Sequence, residues 1–217
     1  MNNNLTELVF ILDRSGSMGG LEKDTIGGYN SFVKKQQEES GKANLTTVLF
    51  DDKYDILHDR ADIKSVEPIT EKEYYARGTT ALLDAVGKTI VDISKRIEAA
   101  EAAKKPSKVL FVITTDGHEN ASKEYSAAKV KEMIRHQSEK YSWEFLFLGA
   151  NIDAVGAAKD LGIRADCAVD FCCDSAGVEL NYSVMAEEVA RFRREKTCKM
   201  ESNWKAKIAE DYENRKA

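Results

Sequence analysis

The alternation of continuous apolar runs with amphipathic segments limits most strongly how this 217-residue chain can fold. The run Leu8-Val9-Phe10-Ile11-Leu12 has no polar residue at alternate positions, which predicts a strand covered on both faces, as in a parallel sheet. The predicted strands are 5–12, 45–50, 54–57, 109–114, 143–148 and 168–171, and the predicted helices are about 21–40, 80–100, 122–140 and 153–161. This order indicates an α/β fold with a doubly wound, mostly parallel sheet and helices on both faces.

Two segments depart from that alternation. Asp51-Asp52-Lys53 separates the second and third predicted strands and predicts a tight turn, so we expect an antiparallel hairpin at the sheet edge. From residue 183 the chain is highly charged, with apolar residues at loose helical spacing. We therefore expect one domain over 1–182 and a charged helical extension over 183–217 that packs on it. The basic cluster of Arg191, Arg193 and Arg194 is interpreted as a solvated helix face.

Composition argues against several classes of function. A formal net charge of −5 disfavours a nucleic-acid-binding protein, which usually has a basic face. No segment is apolar over a membrane-spanning length and none has the pattern of a secretory signal, so we expect a cytoplasmic protein without a membrane partner. Cys167, Cys172, Cys173 and Cys198 lack the paired spacing of a zinc site and are expected to be reduced thiols.

The residues that carry chemistry begin directly after the first strand. Asp13, Ser15 and Ser17 place a carboxylate and two hydroxyls at alternate positions, and Gly16 lets the backbone fold tightly between the hydroxyls. In a doubly wound sheet the binding crevice lies beyond the carboxyl ends of the strands, which is where Asp13 falls. A cluster of hard oxygen donors at such a point suits a small cation such as Mg2+ or Mn2+.

Two further segments carry matching side chains. The predicted strand 109–114 is followed by Thr115-Asp116-Gly117, again a carboxylate at the carboxyl end of a buried strand. If the two strands are neighbours, Asp116 approaches the same crevice as Asp13. Between them in sequence, Gly78-Thr79-Thr80 predicts a glycine turn that leads into a helix, and a hydroxyl near the helix start can face the strand ends.

These three segments, in this order, resemble the metal-ion-dependent adhesion site of the von Willebrand factor type A domain family, which has a Rossmann-like fold. The resemblance covers about residues 5–171. Within that family the chain is most similar to small stand-alone bacterial or phage proteins, including the group found with tellurite-resistance genes. The segments that carry this finer resemblance are 11–18, 115–120 and 147–151.

The resemblance implies a set of metal ligands. Ser15, Ser17 and one threonine would ligate the cation directly through their hydroxyls, whereas Asp13 and Asp116 would contact it mainly through water. Thr80 matches the family threonine better than Thr79, which would instead cap the helix.

The resemblance also implies a function. Neutral hydroxyl ligands leave Mg2+ or Mn2+ poorly neutralised and with a coordination position free, which a Glu or Asp of a partner protein would fill. The function implied is a cation-dependent protein–protein interaction module that is not an enzyme and has no small-molecule substrate.

Other functions remain as alternatives. A phosphotransferase or phosphatase with a nucleophilic Asp13 would usually carry a second carboxylate where this chain has Ser15. A metal-assisted phosphoesterase would use the same cation and the acidic crevice. A serine hydrolase built on Ser17, His118 and Asp116 lacks the G-x-S-x-G elbow, and nucleotide binding lacks a glycine-rich phosphate loop. A scaffold with a vacant metal site, in which the C-terminal helices make the contacts, is a third alternative.

Residues near the expected crevice have two interpretations. Tyr74, Tyr75, Asn151 and Asp153 are compatible with a rim that selects a partner, and equally with local packing. Asp51 and Asp52 are interpreted as turn residues of the hairpin.

Overall fold

A sheet of six strands forms the centre of the part of the chain that the structure describes. The computed structural model describes residues 4–150, 152–195, 199–200 and 203–215. The strands are β1 (Leu5–Asp13), β2 (Lys42–Phe50), β3 (Tyr54–Asp62), β4 (Lys108–Thr115), β5 (Glu144–Ala150) and β6 (Ala168–Phe171). They lie in the order β3-β2-β1-β4-β5-β6. Every neighbouring pair is parallel except β2 and β3, which are antiparallel.

The helices surround this sheet. They are α1 (Glu22–Glu38), α2 (Leu82–Ala99), α3 (Ala127–Tyr141), α4 (Ala154–Asp160), α5 (Ser175–Arg194) and α6 (Ala206–Arg215). Helix α1 packs on α5, and α2 packs on α3. The predicted fold class, a mostly parallel doubly wound sheet with one antiparallel edge pair, is confirmed.

The centre of the core lies along β1, because this strand is hydrogen-bonded on both edges and covered on both faces. Phe10 shows how the helices are held against it. Its ring makes edge contacts with Tyr29 and Phe32 of α1 and stacks on Tyr182 of α5. Burial of such aromatic rings is the main stabilising contribution to a core of this kind.

The largest differences from the predicted boundaries concern β3, α3 and α5. Strand β3 continues to Asp62 instead of ending at 57, with half-exposed and exposed residues along its length. Helix α3 begins at Ala127 rather than 122, since Ser126 caps it by accepting the N–H of Lys129. Helix α5 begins at Ser175, where Asp174 accepts the N–H of Gly177. Residue 183 therefore falls inside a continuous helix, and Cys198 lies outside the described residues.

None of the helices in the described residues combines the length and the apolar character needed to cross a membrane.

Candidate metal centre

The pairing of β1 with β4 brings the two predicted carboxylates to one edge of the sheet. Leu12 is opposite Thr114 in this parallel pair, so both strands end at the same level. Asp13 is the last residue of β1, and Asp116 follows β4 directly. Both side chains are buried, although they lie at the ends of strands.

A chain of hydrogen bonds links the residues of the two loops. The Asp13 carboxylate accepts the N–H of Ser15 at 2.6 Å and the hydroxyl of Thr115 at 2.5 Å. The Ser15 and Ser17 hydroxyl oxygens lie 3.0 Å apart. Ser17 in turn donates to Asp116 Oδ1 at 2.5 Å. Four of the five predicted site residues are thus connected.

Thr80 reaches the same place, as the surroundings of Gly117 show. A Cβ atom at Gly117 would lie 3.1 Å from Ser17 Oγ, 3.1 Å from Thr80 Oγ1 and 3.8 Å from Ser15 Oγ. All three hydroxyl oxygens therefore lie within 3.8 Å of a single point. The glycine leaves this point free of side-chain atoms. The structure thus brings all five predicted site residues together, and their role as metal ligands stays a prediction.

The loop that carries Thr80 is held from the other side by the loop after β4. Gly78 adopts a φ of +69°, as expected for a glycine turn. The Thr80 N–H donates to the side chain of Asn120 at 2.9 Å, and the Thr80 carbonyl accepts the Asn120 N–H at 3.0 Å. Asn120 was part of the family resemblance, but the sequence pattern gave it no role of its own.

The start of α2 is capped differently from the prediction. The helix begins at Leu82 with Ala81 in the cap position, so Thr79 does not cap it. The free N–H groups of its first turn instead donate to side chains of the loop after β4. Leu83 donates to Glu119 at 2.9 Å, and Asp84 donates to Ser122 at 3.0 Å. These caps come from residues distant in sequence, which is why local spacing did not reveal them.

The site is electrostatically unusual because its buried carboxylates are hydrogen-bonded by no basic side chain among the described residues. Burial raises the pKa of Asp13 to about 6, against the opposing effect of hydrogen bonds from Thr115 and Ser15. Burial also raises the pKa of Asp116, again with an opposing hydrogen bond from Ser17. Asp116 Oδ2 is buried without a hydrogen-bond partner. Both carboxylates would be stabilised by a nearby cation.

The donor set fits a hard divalent cation. Two ligands at right angles on Mg2+, each at about 2.1 Å, are about 3.0 Å apart. The Ser15 and Ser17 hydroxyls are separated by this distance. No cluster of three or more His, Cys, Asp or Glu side chains that could hold a metal occurs in the described ranges. A metal centre here would therefore depend on hydroxyl oxygens, which is a donor set for Mg2+ or Mn2+ more than for softer ions.

A second polar cluster lies beside these residues, and the sequence pattern did not reveal it. In this arginine–aspartate cluster, Asp51 accepts from Arg14 Nε at 3.0 Å and from Arg77 Nε at 2.5 Å. Asp55 pairs with both arginines as well. Asp51 had been interpreted only as a turn residue, yet its side chain is fully buried. Its backbone carbonyl also accepts the N–H of Ala81 at 2.9 Å, close to Thr80.

The residues predicted for the rim have separate roles. Tyr74 is buried and its hydroxyl donates to the Asp13 carbonyl at 2.6 Å, so it supports the first loop from below. Tyr75 is 43% exposed and packs beside Arg77. Asp153 caps α4 by accepting the N–H of Gly156 at 2.8 Å. Asn151 lies outside the described residues.

Comparison with solved structures identifies the class of fold. The chain has the fold of a von Willebrand factor type A domain, the domain found in a structure from Catenulispora acidiphila at a TM-score of 0.56 and 18% identity. That match covers 85% of this chain and 42% of the other. No protein-family model matches the sequence, and no curated protein matches it.

Two particular structures extend this comparison. Proximal thread matrix protein 1 from the mussel byssus matches at a TM-score of 0.59 and 14% identity, over 87% of this chain and 46% of that one. The same protein has been solved with a zinc-occupied metal-ion-dependent adhesion site (MIDAS) motif. The von Willebrand factor domain of the pilus tip protein Mfa5 from Porphyromonas gingivalis matches at 0.60 and 11% identity, over 89% and 98% of the two chains. This chain therefore spans less than half of the first two proteins and nearly all of the pilus domain.

Proposed function

We propose that this chain binds a divalent cation between Ser15, Ser17 and Thr80 and uses it to recognise an acidic side chain of a partner protein. The observation that carries the proposal is the approach of three hydroxyls, from two separate loops, to one point beside Gly117. Two buried carboxylates lie in the same loops: Asp13 accepts the Ser15 N–H and Asp116 accepts the Ser17 hydroxyl, and in the described part of the chain neither has a basic partner.

Each residue has a defined part in this proposal. The three hydroxyls coordinate the cation directly, and the carboxylates balance its charge from behind them, mainly through water. Asp13 also fixes the first loop through its bond to the Ser15 N–H. The cation supplies a Lewis-acidic position that a Glu or Asp of another chain can occupy. We propose Mg2+ or Mn2+ because the donors are hard oxygens.

A solved structure of similar fold supports the part of the proposal that concerns a divalent cation. The mussel protein has been solved with zinc in a motif of this type. We further propose a cytoplasmic location and a relationship to the group found with tellurite-resistance genes, the latter on the sequence resemblance alone.

Titration calorimetry with Mg2+ and Mn2+ tests the cation. We expect wild type and Asp59→Ala to bind equally, because Asp59 is an exposed residue of the edge strand β3 whose partner is Arg96. Asp13→Ala should lose measurable binding while keeping its circular dichroism spectrum. Equal heats for Asp13→Ala and wild type would end the proposal.

The partner class is tested separately with paired peptides. An interaction module of this kind should bind a Glu-containing peptide in Mn2+ and release it in EDTA, and should ignore the matched Gln peptide. Binding of both peptides in EDTA would instead favour the scaffold alternative, in which the C-terminal helices make the contacts.

We also propose that the site is not catalytic. The Ser17 hydroxyl donates a hydrogen bond to Asp116 at 2.5 Å and is not hydrogen-bonded to a histidine in the described structure. His118 is exposed. A phosphoesterase would turn over a generic phosphate ester in Mn2+. Turnover by wild type above that of Asp116→Ala would contradict this part of the proposal.

A further inference from the structure

A small cavity lies behind the candidate metal centre, between β4 and helix α5. Asp116 and Thr114 line it from the end of β4, and Asn181 and Tyr182 line it from α5. Thr25 of α1 completes its polar wall. The cavity has a volume of about 10 Å3. That is roughly the space in which one water molecule fits.

The walls of this cavity contain most of the buried polar atoms that lack a hydrogen-bond partner in the described residues. Among them are Asp116 Oδ2 and both side-chain atoms of Asn181, Oδ1 and Nδ2. The hydroxyls of Thr25 and Thr114 have no partner of good geometry either. Asn181 is 1% exposed and Asp116 is 4% exposed, so bulk solvent does not satisfy them.

Such an arrangement is costly unless something fills it. A buried polar group without a partner destabilises the folded state, because it has lost its hydrogen bonds to water and gained none. A water molecule needs two to four polar partners, and this cavity offers an amide that can donate and accept, a carboxylate oxygen and two hydroxyls. The apolar side chains of Met18, Phe171 and Val178 close the rest of the wall.

We propose that a buried water molecule occupies this cavity and joins Asp116 to Asn181, which makes Asn181 a positioning residue for the metal centre. Asp116 Oδ1 accepts from Ser17, and the water donates to Oδ2. The two bonds together hold the carboxylate in one orientation beside the hydroxyls. This proposal of a buried water depends on the proposed function only for the expected effect on metal affinity.

The variants that test it differ in one polar group. Asn181→Leu keeps the size of the side chain and removes both of its polar atoms. Gln137→Leu is the matched control, because Gln137 Oε1 is also buried without a partner but lies on α3, outside the cavity. Asn181→Ser keeps a donor and an acceptor and leaves room for a second water molecule, so it should restore the link.

Mn2+ titration gives the first readout. We expect Asn181→Leu to weaken Mn2+ binding about tenfold, the effect of losing one hydrogen bond to a charged group. Gln137→Leu should bind as wild type does, and Asn181→Ser within about twofold of it. In EDTA, Asn181→Leu should have nearly the stability of wild type, because the Leu side chain of similar size replaces the hydrogen bonds of the amide with apolar contacts in the core. Loss of stability and affinity together would mean a merely structural role and would overturn the proposal.

Crystal structures of wild type and Asn181→Leu in EDTA give the second readout, independent of metal. We expect a water molecule within hydrogen-bond distance of Asp116 Oδ2 and Asn181 in wild type. In Asn181→Leu we expect the Asp116 carboxylate to rotate away from Ser17. A dry cavity in wild type would end the inference even if Mn2+ binds. Conversely, a wild-type protein that contains this water but binds no Mn2+ would end the proposed function and leave the link between Asp116 and Asn181 intact.

Discussion

Two polar clusters at the same edge of the sheet shift the pKa values of their carboxyl groups in opposite directions. In the candidate metal centre, burial raises the pKa of Asp13 to about 6 and also raises that of Asp116. In the arginine–aspartate cluster, burial of Asp51 acts in the same direction, but hydrogen bonds from Arg77 and the Lys53 N–H, with the charge of Arg14, bring its pKa below the usual value. Among the residues that the structure describes, no basic side chain is bonded to the carboxylates of the first cluster, whereas the second cluster contains its own arginines.

The contrast is built from neighbouring residues of one loop. The Asp13 carboxylate accepts the Ser15 N–H and the Thr115 hydroxyl, whereas Arg14, the next residue, donates to Asp51. The arginine–aspartate cluster therefore holds the first loop against the hairpin. A separate bond, from the Gly16 N–H to the Gly78 carbonyl, holds the first loop against the loop of Thr80. The arginine–aspartate cluster thus contains both signs of charge and connects the first loop to the hairpin, whereas the neighbouring carboxylates have no basic side chain bonded to them within the described ranges.

Removing Asp51 should have the largest effect on stability. Asp51→Ala leaves the buried Arg14 without its main partner, and breaking a buried ion pair costs about 3–5 kcal/mol. We expect the free energy of unfolding in EDTA to fall by this amount in urea denaturation. Asp116→Ala should change it little or raise it, since Asp116 is buried with a raised pKa and is bonded to no basic side chain that the structure describes. Equal losses in the two variants would remove the distinction between the clusters.

Acid should weaken this first effect. The pKa of Asp51 is lower in the folded chain than its usual value of 3.8, so its contribution is complete above that value and is lost as the pH falls through the folded pKa. We expect the difference between wild type and Asp51→Ala to be constant at neutral pH and to narrow below about pH 3.8.

Cation binding should have the second-largest effect, and only through the candidate metal centre. A ligand at 100 times its dissociation constant stabilises the native state by about 2.7 kcal/mol. We expect this gain in Mn2+ for wild type and for Ser65→Ala, an exposed serine in a turn after β3. Ser17→Ala should lose most of the gain. Thermal unfolding with and without EDTA measures it, and an undiminished gain in Ser17→Ala would place the cation elsewhere.

The sequence was sufficient to predict the order of strands and helices and the proximity of the five residues of the candidate metal centre. There is a physical reason for this. Strands such as β1 and β4 are buried on both faces, so their apolar runs are visible in the sequence. Asp13 and Asp116 follow those runs directly, and parallel pairing places them together. The edge strand β3 carries no such signal, because residues such as Asp59 and Asp62 face solvent, and its length was underestimated.

The arginine–aspartate cluster and Asn181 could not be found in this way. Asp51 has the sequence signature of an exposed turn residue, and it is buried only because Arg14 and Arg77 arrive from two other loops. Asn181 is a polar residue in the first half of α5, a helix that was expected to begin at 183. Its burial depends on the packing of α5 beside the residues at the end of β4. Both are properties of tertiary packing that local patterns do not encode.

Gly117 should show an effect on cation affinity of intermediate size. In Gly117→Ala the new methyl group would lie 3.1 Å from the hydroxyls of Ser17 and Thr80 and must displace at least one of them. We expect Mn2+ affinity to fall about tenfold, which corresponds to about 1.4 kcal/mol. Gly27→Ala is the matched control, because nothing lies within 4 Å of a Cβ there and the position is inside α1. It should raise stability by about 0.5–1 kcal/mol and leave Mn2+ affinity unchanged.

The smallest effect is expected from a substitution of Asp55. It tests whether the burial of a carboxylate or the number of its ion pairs determines its contribution to stability. Asp55 pairs with the same two arginines as Asp51, but its side chain is 53% exposed. Exposed ion pairs contribute about 0–1 kcal/mol, since water replaces the lost partner. We therefore expect Asp55→Asn to lower the free energy of unfolding by less than about 1 kcal/mol, and Asp51→Asn to lower it by several times as much. If urea denaturation gave equal losses, the stability of the arginine–aspartate cluster would follow the number of its ion pairs and not the burial of Asp51.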